Sequence, residues 1–197
     1  MNTPNGPLRE FLEIPYERME ELNLQSKEYQ ENWVPMDKVE AERRSYLEGE
    51  KRIKAVTVAF TDLEGRLHML DYDKKYLLSS DQLTFDGSSV RGFTKIAESD
   101  LRLEIDWRAF YWMPADVFGA GKVLVFGHVL GRDGKPYEAD FRGRLLAYTR
   151  DLYRNEGMVA NFATETEGFL FNTRDAERTY YRTGNFDLIS TGGYFSS

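Results

Sequence analysis

The strongest constraint on the fold is a series of two-residue alternations between residues 53 and 130. Val56, Val58 and Phe60 alternate with Ala55, Thr57 and Ala59, the period at which successive side chains leave opposite faces of a strand. Asp62-Leu63-Glu64-Gly65 reads as a turn, after which Arg66 to Tyr72 can pair back as a hairpin. Leu101, Leu103 and Ile105 alternate with Arg102, Glu104 and Asp106, and Lys122 to Leu130 is the strongest strand pattern of the chain. Together these runs predict a small mixed sheet over about residues 53–130.

The flanking segments read as helical. Asp37 can cap a polar helix to about Glu50, with Val39, Arg43, Tyr46, Leu47 and Glu50 forming a weak stripe. Residues 1–50 carry 12 acids against 6 bases and so hold six of the seven excess negative charges, and they read as a solvated lead-in with no site. Gly131 to Pro136 is a loop, and about residue 135 is a candidate domain boundary. A second helix fits from about Phe141 to Asn155, with a stripe of Leu145, Thr149 and Leu152 beside Leu146 and Tyr153, and Gly157 placed to end it. Gly119-Ala120-Gly121-Lys122 does not fit a phosphate loop. Its glycine spacing is wrong, Val123 follows the lysine, and the stretch leads into a strand; a turn is the reading.

Composition narrows the function classes. At 41% hydrophobic and 30% charged residues the chain is globular in character. With no cysteine there is neither a disulfide framework nor a thiolate metal site, and His68 and His128 alone cannot make a zinc site. The net charge of −7 argues against a nucleic-acid partner. No stretch has the apolar length of a membrane span and no secretory signal is visible, so a cytoplasmic protein is expected.

Two stretches carry candidate chemistry. The first is Leu83-Thr84-Phe85-Asp86-Gly87-Ser88-Ser89-Val90-Arg91-Gly92-Phe93, running on to Glu98-Ser99-Asp100. Asp86 precedes a glycine that permits a tight backbone, and the two serine hydroxyls can bond nearby amides or a ligand. Phe85 and Phe93 could anchor both ends of this loop in a core. Asp, Gly and Ser also make ordinary turns, so the stretch alone does not decide. The second lies between Met158 and Asn172, where Ala163, Glu165, Glu167, Phe169 and Phe171 share one face of an expected strand. Carboxylates two residues apart on a strand point the same way, about 7 Å apart. That spacing suits neighbouring divalent ions, because Mg²⁺ takes oxygen ligands. An exposed sheet face with two ordinary acids is the alternative, weakened by the phenylalanines beside them.

Taken together, the motifs resemble the bacterial-type glutamine synthetase family. The likeness rests on Phe85-Asp86-Gly87-Ser88-Ser89, Gly92-Phe93, Glu98-Ser99-Asp100, Glu165-Thr166-Glu167-Gly168-Phe169-Leu170-Phe171 and Gly192-Gly193-Tyr194-Phe195, in that order over about residues 53–197. The resemblance implies an α+β fold: a polar lead-in over 1–50, a β-grasp domain over 51–135, and the start of a catalytic domain over 136–197. It implies ATP-dependent ligation of ammonia to the γ-carboxylate of glutamate through γ-glutamyl phosphate, with Mg²⁺ or Mn²⁺ as cofactor. Asp86 matches the aspartate that binds and deprotonates ammonium, Ser89 a serine lining that pocket and Tyr194 a tyrosine closing it. Glu165 and Glu167 match ligands of two metals, one each. The implied enzyme is a homo-oligomeric ring whose active sites are shared between subunits.

The sequence departs from the family at Gly168, where an aromatic is usual, at Ala163-Thr164, where Gly-Pro is usual, and at Ile105 in place of a proline. Family members also continue well past the position of Ser197, so the 197 residues are expected to be an incomplete, inactive N-terminal part. Two other readings stand beside the synthetase: a γ-glutamyl ligase acting on another amine, and a non-catalytic module that assembles with a full-length synthetase.

Overall fold

The computed structural model describes residues 12–80, 82–95 and 99–189. The chain divides into two compact units, Met1–Met158 and Val159–Ser197. The first has the expected α+β architecture. A five-stranded sheet is built from β1 (Ala55–Thr61), β2 (Leu67–Asp73), β3 (Leu83–Asp86), β4 (Asp100–Trp112) and β5 (Val123–Leu130). The order is β2-β1-β5-β4-β3, with β1 and β5 parallel at the centre and every other pair antiparallel. The β1–β2 hairpin turns at Asp62–Gly65 as the sequence predicts, and Gly65 takes the positive φ of 77° that the turn demands. Gly119 and Gly121 likewise turn the chain into β5, at φ of 89° and 71°.

β1 is more buried than its alternation suggests. Val56, Thr57, Val58, Ala59 and Phe60 are all enclosed, because the strand lies inside the sheet. The polar member, Thr57, is satisfied by donating its hydroxyl to Asp71 on β2, and Lys122 pairs with the same carboxylate at 2.6 Å. Leu83–Asp86, read as part of a loop, is a short edge strand paired to Asp100–Leu103 of β4. β4 is longer than the Leu101–Asp106 alternation indicates. Trp107, Arg108 and Ala109 slip out of register between the pairs Asp106–Phe126 and Phe110–Val125, and such a bulge interrupts the two-residue period.

The acidic N-terminal segment is not a solvated lead-in. It forms two helices, α1 (Tyr16–Glu31) and α2 (Met36–Gly49), and both pack on β4. β3 covers only the first four residues of β4, so the strand's remaining edge would present unpaired backbone groups. α1 covers that edge with polar side chains spaced along one face. Asn23 accepts from the Trp112 N–H at 2.9 Å and donates to the Trp112 carbonyl at 3.0 Å. Ser26 donates to the Phe110 carbonyl at 2.6 Å, and Gln30 to the Arg108 carbonyl at 3.3 Å. In α2, Val39, Arg43 and Leu47 are buried. Arg43 donates to Ser26 Oγ at 3.1 Å and lies over the rings of Tyr29, Phe110 and Trp112. The α2 start is also one residue early: Pro35 precedes it, and Asp37 sits inside the first turn without capping it.

Two short helices, α3 (Lys74–Ser79) and α4 (Ala115–Phe118), connect strands, and α5 (Phe141–Glu156) follows the sheet. Gly157 ends α5 in a left-handed conformation at φ 66°. None of the α5 residues is fully buried, and Phe141, Leu145, Tyr148 and Tyr153 of its apolar stripe are exposed. α5 is tied to the sheet by charge. Arg142 donates to Asp106 at 2.7 Å and sits 3.0 Å from His128 Nε2, while the capping-position Asp140 accepts from the Val129 N–H at 2.9 Å. Burial, then the adjacent Arg142 charge, push His128 down to about 4.

In the second unit, α6 (Ala176–Thr183) is closed by a small bridge between Phe171 and Leu188, with Phe186 stacked on Tyr180 at 4.5 Å. The strand expected over 159–171 is absent. Residues 159–170 carry no strand, only Phe171 makes a bridge, to Leu188, and a two-residue pattern without a paired partner does not hold a strand.

Asn23→Ala should cost about 1–3 kcal/mol in urea denaturation, the penalty for stranding buried backbone groups; an unchanged midpoint would show that water replaces the amide. His128 is held below its unfolded value, so the unfolded chain binds the extra proton. Stability should therefore fall on acidification between about pH 6.5 and 4, by on the order of 3 kcal/mol. Asp140, pushed up by burial, works in the opposite sense. The difference between wild type and His128→Asn isolates the histidine, and parallel pH–stability curves would contradict its assignment.

Candidate active site

The Asp86 turn is assembled from the end of β3. Phe85 points into the core and packs on Phe60 at 4.6 Å, so Asp86, the next residue on a strand, must point the other way. Phe93 holds the far end: its ring lies 5.3 Å from Tyr137, whose hydroxyl donates to the Phe93 carbonyl at 2.6 Å. Both aromatics anchor the stretch as the sequence suggests. Between them Gly87–Ser89 forms one 3₁₀ turn.

Gly87 is required here by space. Its N–H donates to the Ser99 carbonyl at 2.6 Å, and a Cβ would fall 2.6 Å from Leu101 Cδ1 and 3.0 Å from Thr94 Oγ1. Gly92 has φ 83°, and a Cβ there would meet Leu63 at 2.9 Å. The turn is thus pressed against β4 and the β1–β2 loop.

The Asp86 carboxylate is exposed yet oriented. Oδ1 accepts from the Ser88 backbone N–H at 2.9 Å and the Ser88 hydroxyl at 2.6 Å, and Oδ2 accepts from the Ser89 hydroxyl at 3.1 Å. The Ser88 hydroxyl first, then its N–H, with Ser89 and Ser99 adding, hold Asp86 below the usual carboxylate range. The result is a fixed anion facing solvent, suited to binding a small cation. A cleft of about 280 Å³ at this end of β3 is lined by Asp86, Ser89, His68 and apolar residues including Phe60, Phe85 and Val90.

The other expected site residues are not gathered here. Glu165 and Glu167 lie in the second unit, are exposed, and sit in a segment without a strand ladder. Among the described residues no cluster of three or more metal-binding side chains exists. Two exposed carboxylates are too few for a tight all-protein Mg²⁺ site. Tyr194 and the Gly192–Phe195 motif lie outside the described residues, as does Glu98. His68 of β2 also lines the cleft at the end of β3, and a lone histidine in a strand carries no signal in the sequence.

Comparison with known proteins places this geometry. Residues 52–131 match the family model described as the glutamine synthetase β-grasp domain. They are a glutamine synthetase β-grasp domain. Asp86, Ser88, Ser89 and His68 all fall inside it. The chain is 39% identical over 98 residues to a glutamine synthetase of Thermotoga maritima, covering 49% of this chain and 22% of the relative. It is 33% identical over 149 residues to one of Pyrococcus horikoshii, covering 74% of this chain and 30% of the relative. The chain therefore spans less than a third of the length of these relatives. A cryo-EM structure of Plasmodium falciparum glutamine synthetase shares the fold at a TM-score of 0.51 and 22% identity, over 59% of this chain and 23% of that one. Among the described residues no helix is long and apolar enough to cross a membrane.

The close packing at Gly87 gives a direct check. Gly87→Ala should destabilise the chain by about 1–3 kcal/mol and disturb the amide signals of Ser88, Ser89 and Ser99 in a ¹⁵N spectrum. A spectrum unchanged around the turn would show that Leu101 gives way freely.

Proposed function

We propose that this chain is the N-terminal part of a glutamine synthetase, which joins ammonia to the γ-carboxylate of glutamate with ATP through γ-glutamyl phosphate. The observation that carries the reading is the Asp86 carboxylate, oriented by Ser88 and Ser89 at the end of an edge strand within the matched β-grasp domain. The domain plan that goes with it is a lead-in over 1–50, the β-grasp domain over 51–135 and the start of the catalytic domain over 136–197. Ammonia at neutral pH is mostly ammonium, which has no free electron pair. A carboxylate attracts the cation and takes its proton, releasing the pair to attack the acyl phosphate.

Ser89 lines this ammonium pocket and Tyr194 closes it. Glu165 and Glu167 each contribute one ligand to one of two Mg²⁺ or Mn²⁺ ions, the other ligands coming from elsewhere in the complete enzyme. ATP is the co-substrate. The enzyme is a cytoplasmic homo-oligomeric ring in which Asp86 serves the neighbouring subunit. The chain's length relative to its relatives agrees with a site completed by other residues.

In the complete enzyme, Asp86→Ala should spare γ-glutamyl phosphate formation and slow amidation by roughly 10²–10⁴-fold, the usual range for a general base. Mixing inactive Asp86→Ala subunits with inactive Glu167→Ala subunits should restore part of the activity, since some sites then receive both intact residues. Equal loss of both half-reactions in Asp86→Ala would count against the ammonium role. No recovery after confirmed subunit exchange would count against the shared site.

A further inference from the structure

The edge of β4 is covered at both ends and open between them. β3 pairs with Asp100 to Leu103, and the α1 side chains take over at the Arg108 carbonyl. Among the described residues no hydrogen bond reaches the backbone of Glu104 to Trp107 from that side. The phase of the ladder says which groups point outward. The Gly87 N–H donates to the Ser99 carbonyl, and in an antiparallel ladder such bonded pairs recur at every second residue. Phe85–Leu101 and Leu83–Leu103 continue that register, so Ile105 is the next residue to turn its N–H and C=O to this edge. Glu104 turns the other way: its carbonyl lies 3.3 Å from where a Cβ on Gly127 of β5 would stand. Beyond Ile105 the bulge shifts the phase, and Arg108, Phe110 and Trp112 face α1 instead.

A cavity of about 560 Å³ lies at this gap, and both faces of β4 line it. Arg102 and Glu104 share the face on which α5 lies, since Arg142 of α5 bonds Asp106 on the same alternation, and Arg150 of α5 joins them in the lining. Ile105 leaves on the opposite face with Leu83, the partner of Leu103, and there Arg44 of α2 lies over Trp107. A cavity walled by both faces of one strand straddles that strand's edge. Its charges are unequally matched. Arg44 is paired with Glu40 at 2.7 Å. Among the described residues neither Arg102 nor Arg150 has a carboxylate partner, and Arg150 only stacks on Trp33. Two unpaired guanidiniums therefore stand against one unpaired carboxylate, Glu104, in a chain of net charge −7.

We propose that this gap takes an extended acidic segment of a partner protein, added as a short strand beside Ile105. An extended peptide suits a site that straddles a strand edge: its backbone bonds the outward N–H and C=O, and its side chains leave alternately to the two sides. The residue opposite Ile105 sends its side chain towards Leu83 and Ile105 and is apolar. Its neighbours send theirs towards Arg102 and Arg150 and are acidic. The segment is short, because the uncovered stretch runs only from Glu104 to Trp107. Position 105 is also where this sequence departs from the proline usual in the family. A proline has no N–H to offer and closes an edge; isoleucine leaves it open.

Titration of the ¹⁵N-labelled full chain with blocked tetrapeptides tests this without any ligase activity. The probe is Glu-Val-Glu-Val, acetylated and amidated at its ends. It should shift the Ile105 amide and the Trp107 indole signals and slow hydrogen exchange at the Ile105 amide. The same peptide N-methylated at both valines should bind roughly tenfold more weakly, the effect of losing one backbone hydrogen bond. Lys-Val-Lys-Val should not bind, and Arg102→Glu should weaken the acidic peptide. Ile105→Pro should abolish binding with the rest of the amide spectrum in place; if that variant does not fold, the N-methylated peptide decides on the unaltered chain. Equal affinity for the N-methylated or the lysine peptide would overturn the proposal. So would succinate producing the same shifts, which would make the cavity a site for small anions. Protection of the Ile105 amide that rises with protein concentration in the absence of peptide would also overturn it, since a second copy of the chain would then fill the edge.

Discussion

The structure of the first unit depends on how the open edge of β4 is satisfied. β4 has 13 residues, and β3 can pair with only the first four. Beyond Leu103 the strand would expose amide and carbonyl groups to water or to another strand, a recurrent route to aggregation. α1 removes that edge by placing Asn23, Ser26 and Gln30 against alternate residues Trp112, Phe110 and Arg108. Asn23 is the most telling, since one side-chain amide both donates to and accepts from the same backbone unit, as a neighbouring strand would. The covering helix is held in turn by Arg43 of α2, which reaches Ser26 through a cage of three aromatic rings. A buried guanidinium is costly to desolvate, and here hydrogen bonding and ring contact offset that cost.

That arrangement explains which parts of the fold could be read from the sequence. β1 and β5 announce themselves as short valine-rich apolar runs, and β2 by its alternation of half-buried and exposed residues. α1 does not, because the residues it buries against β4 are polar, and hydrophobic periodicity has no means of registering a helix whose task is to bond backbone. The same blindness makes the acidic segment look solvated. β3 was hidden differently: four residues followed by Asp-Gly-Ser-Ser read as turn chemistry, and only pairing with Asp100–Leu103 makes them a strand. The Met158–Asn172 segment errs in the opposite direction. Its alternation is clear, but a strand is a relation between two segments, and none of the described strands pairs with residues 159–170.

The candidate site shows the same division. Asp86, Gly87 and the two serines were legible because a short motif contains both the candidate carboxylate and the groups that orient it. The requirement for Gly87 came from elsewhere: Leu101 and Thr94 press on it from positions that the motif does not include. The pair of His68 and Asp62 was illegible: the turn acid is buried, and its contact with the strand histidine exists only once the hairpin closes.

Placing the carboxylate on an edge strand rather than on a free loop has a chemical consequence. Phe85 is buried in the core and Phe93 packs half-buried against it, so Asp86 projects from a rigid base with little freedom to turn away. The hydrogen bonds from Ser88 and Ser89 fix it further, which favours a well-defined position for a cation. Those same bonds stabilise the charged carboxylate and so reduce its affinity for a proton. In the proposed ammonium role, binding the cation and taking its proton make opposing demands on one side chain: the first favours a strongly acidic, oriented anion, the second a better base, and the serine hydrogen bonds set the balance toward the first.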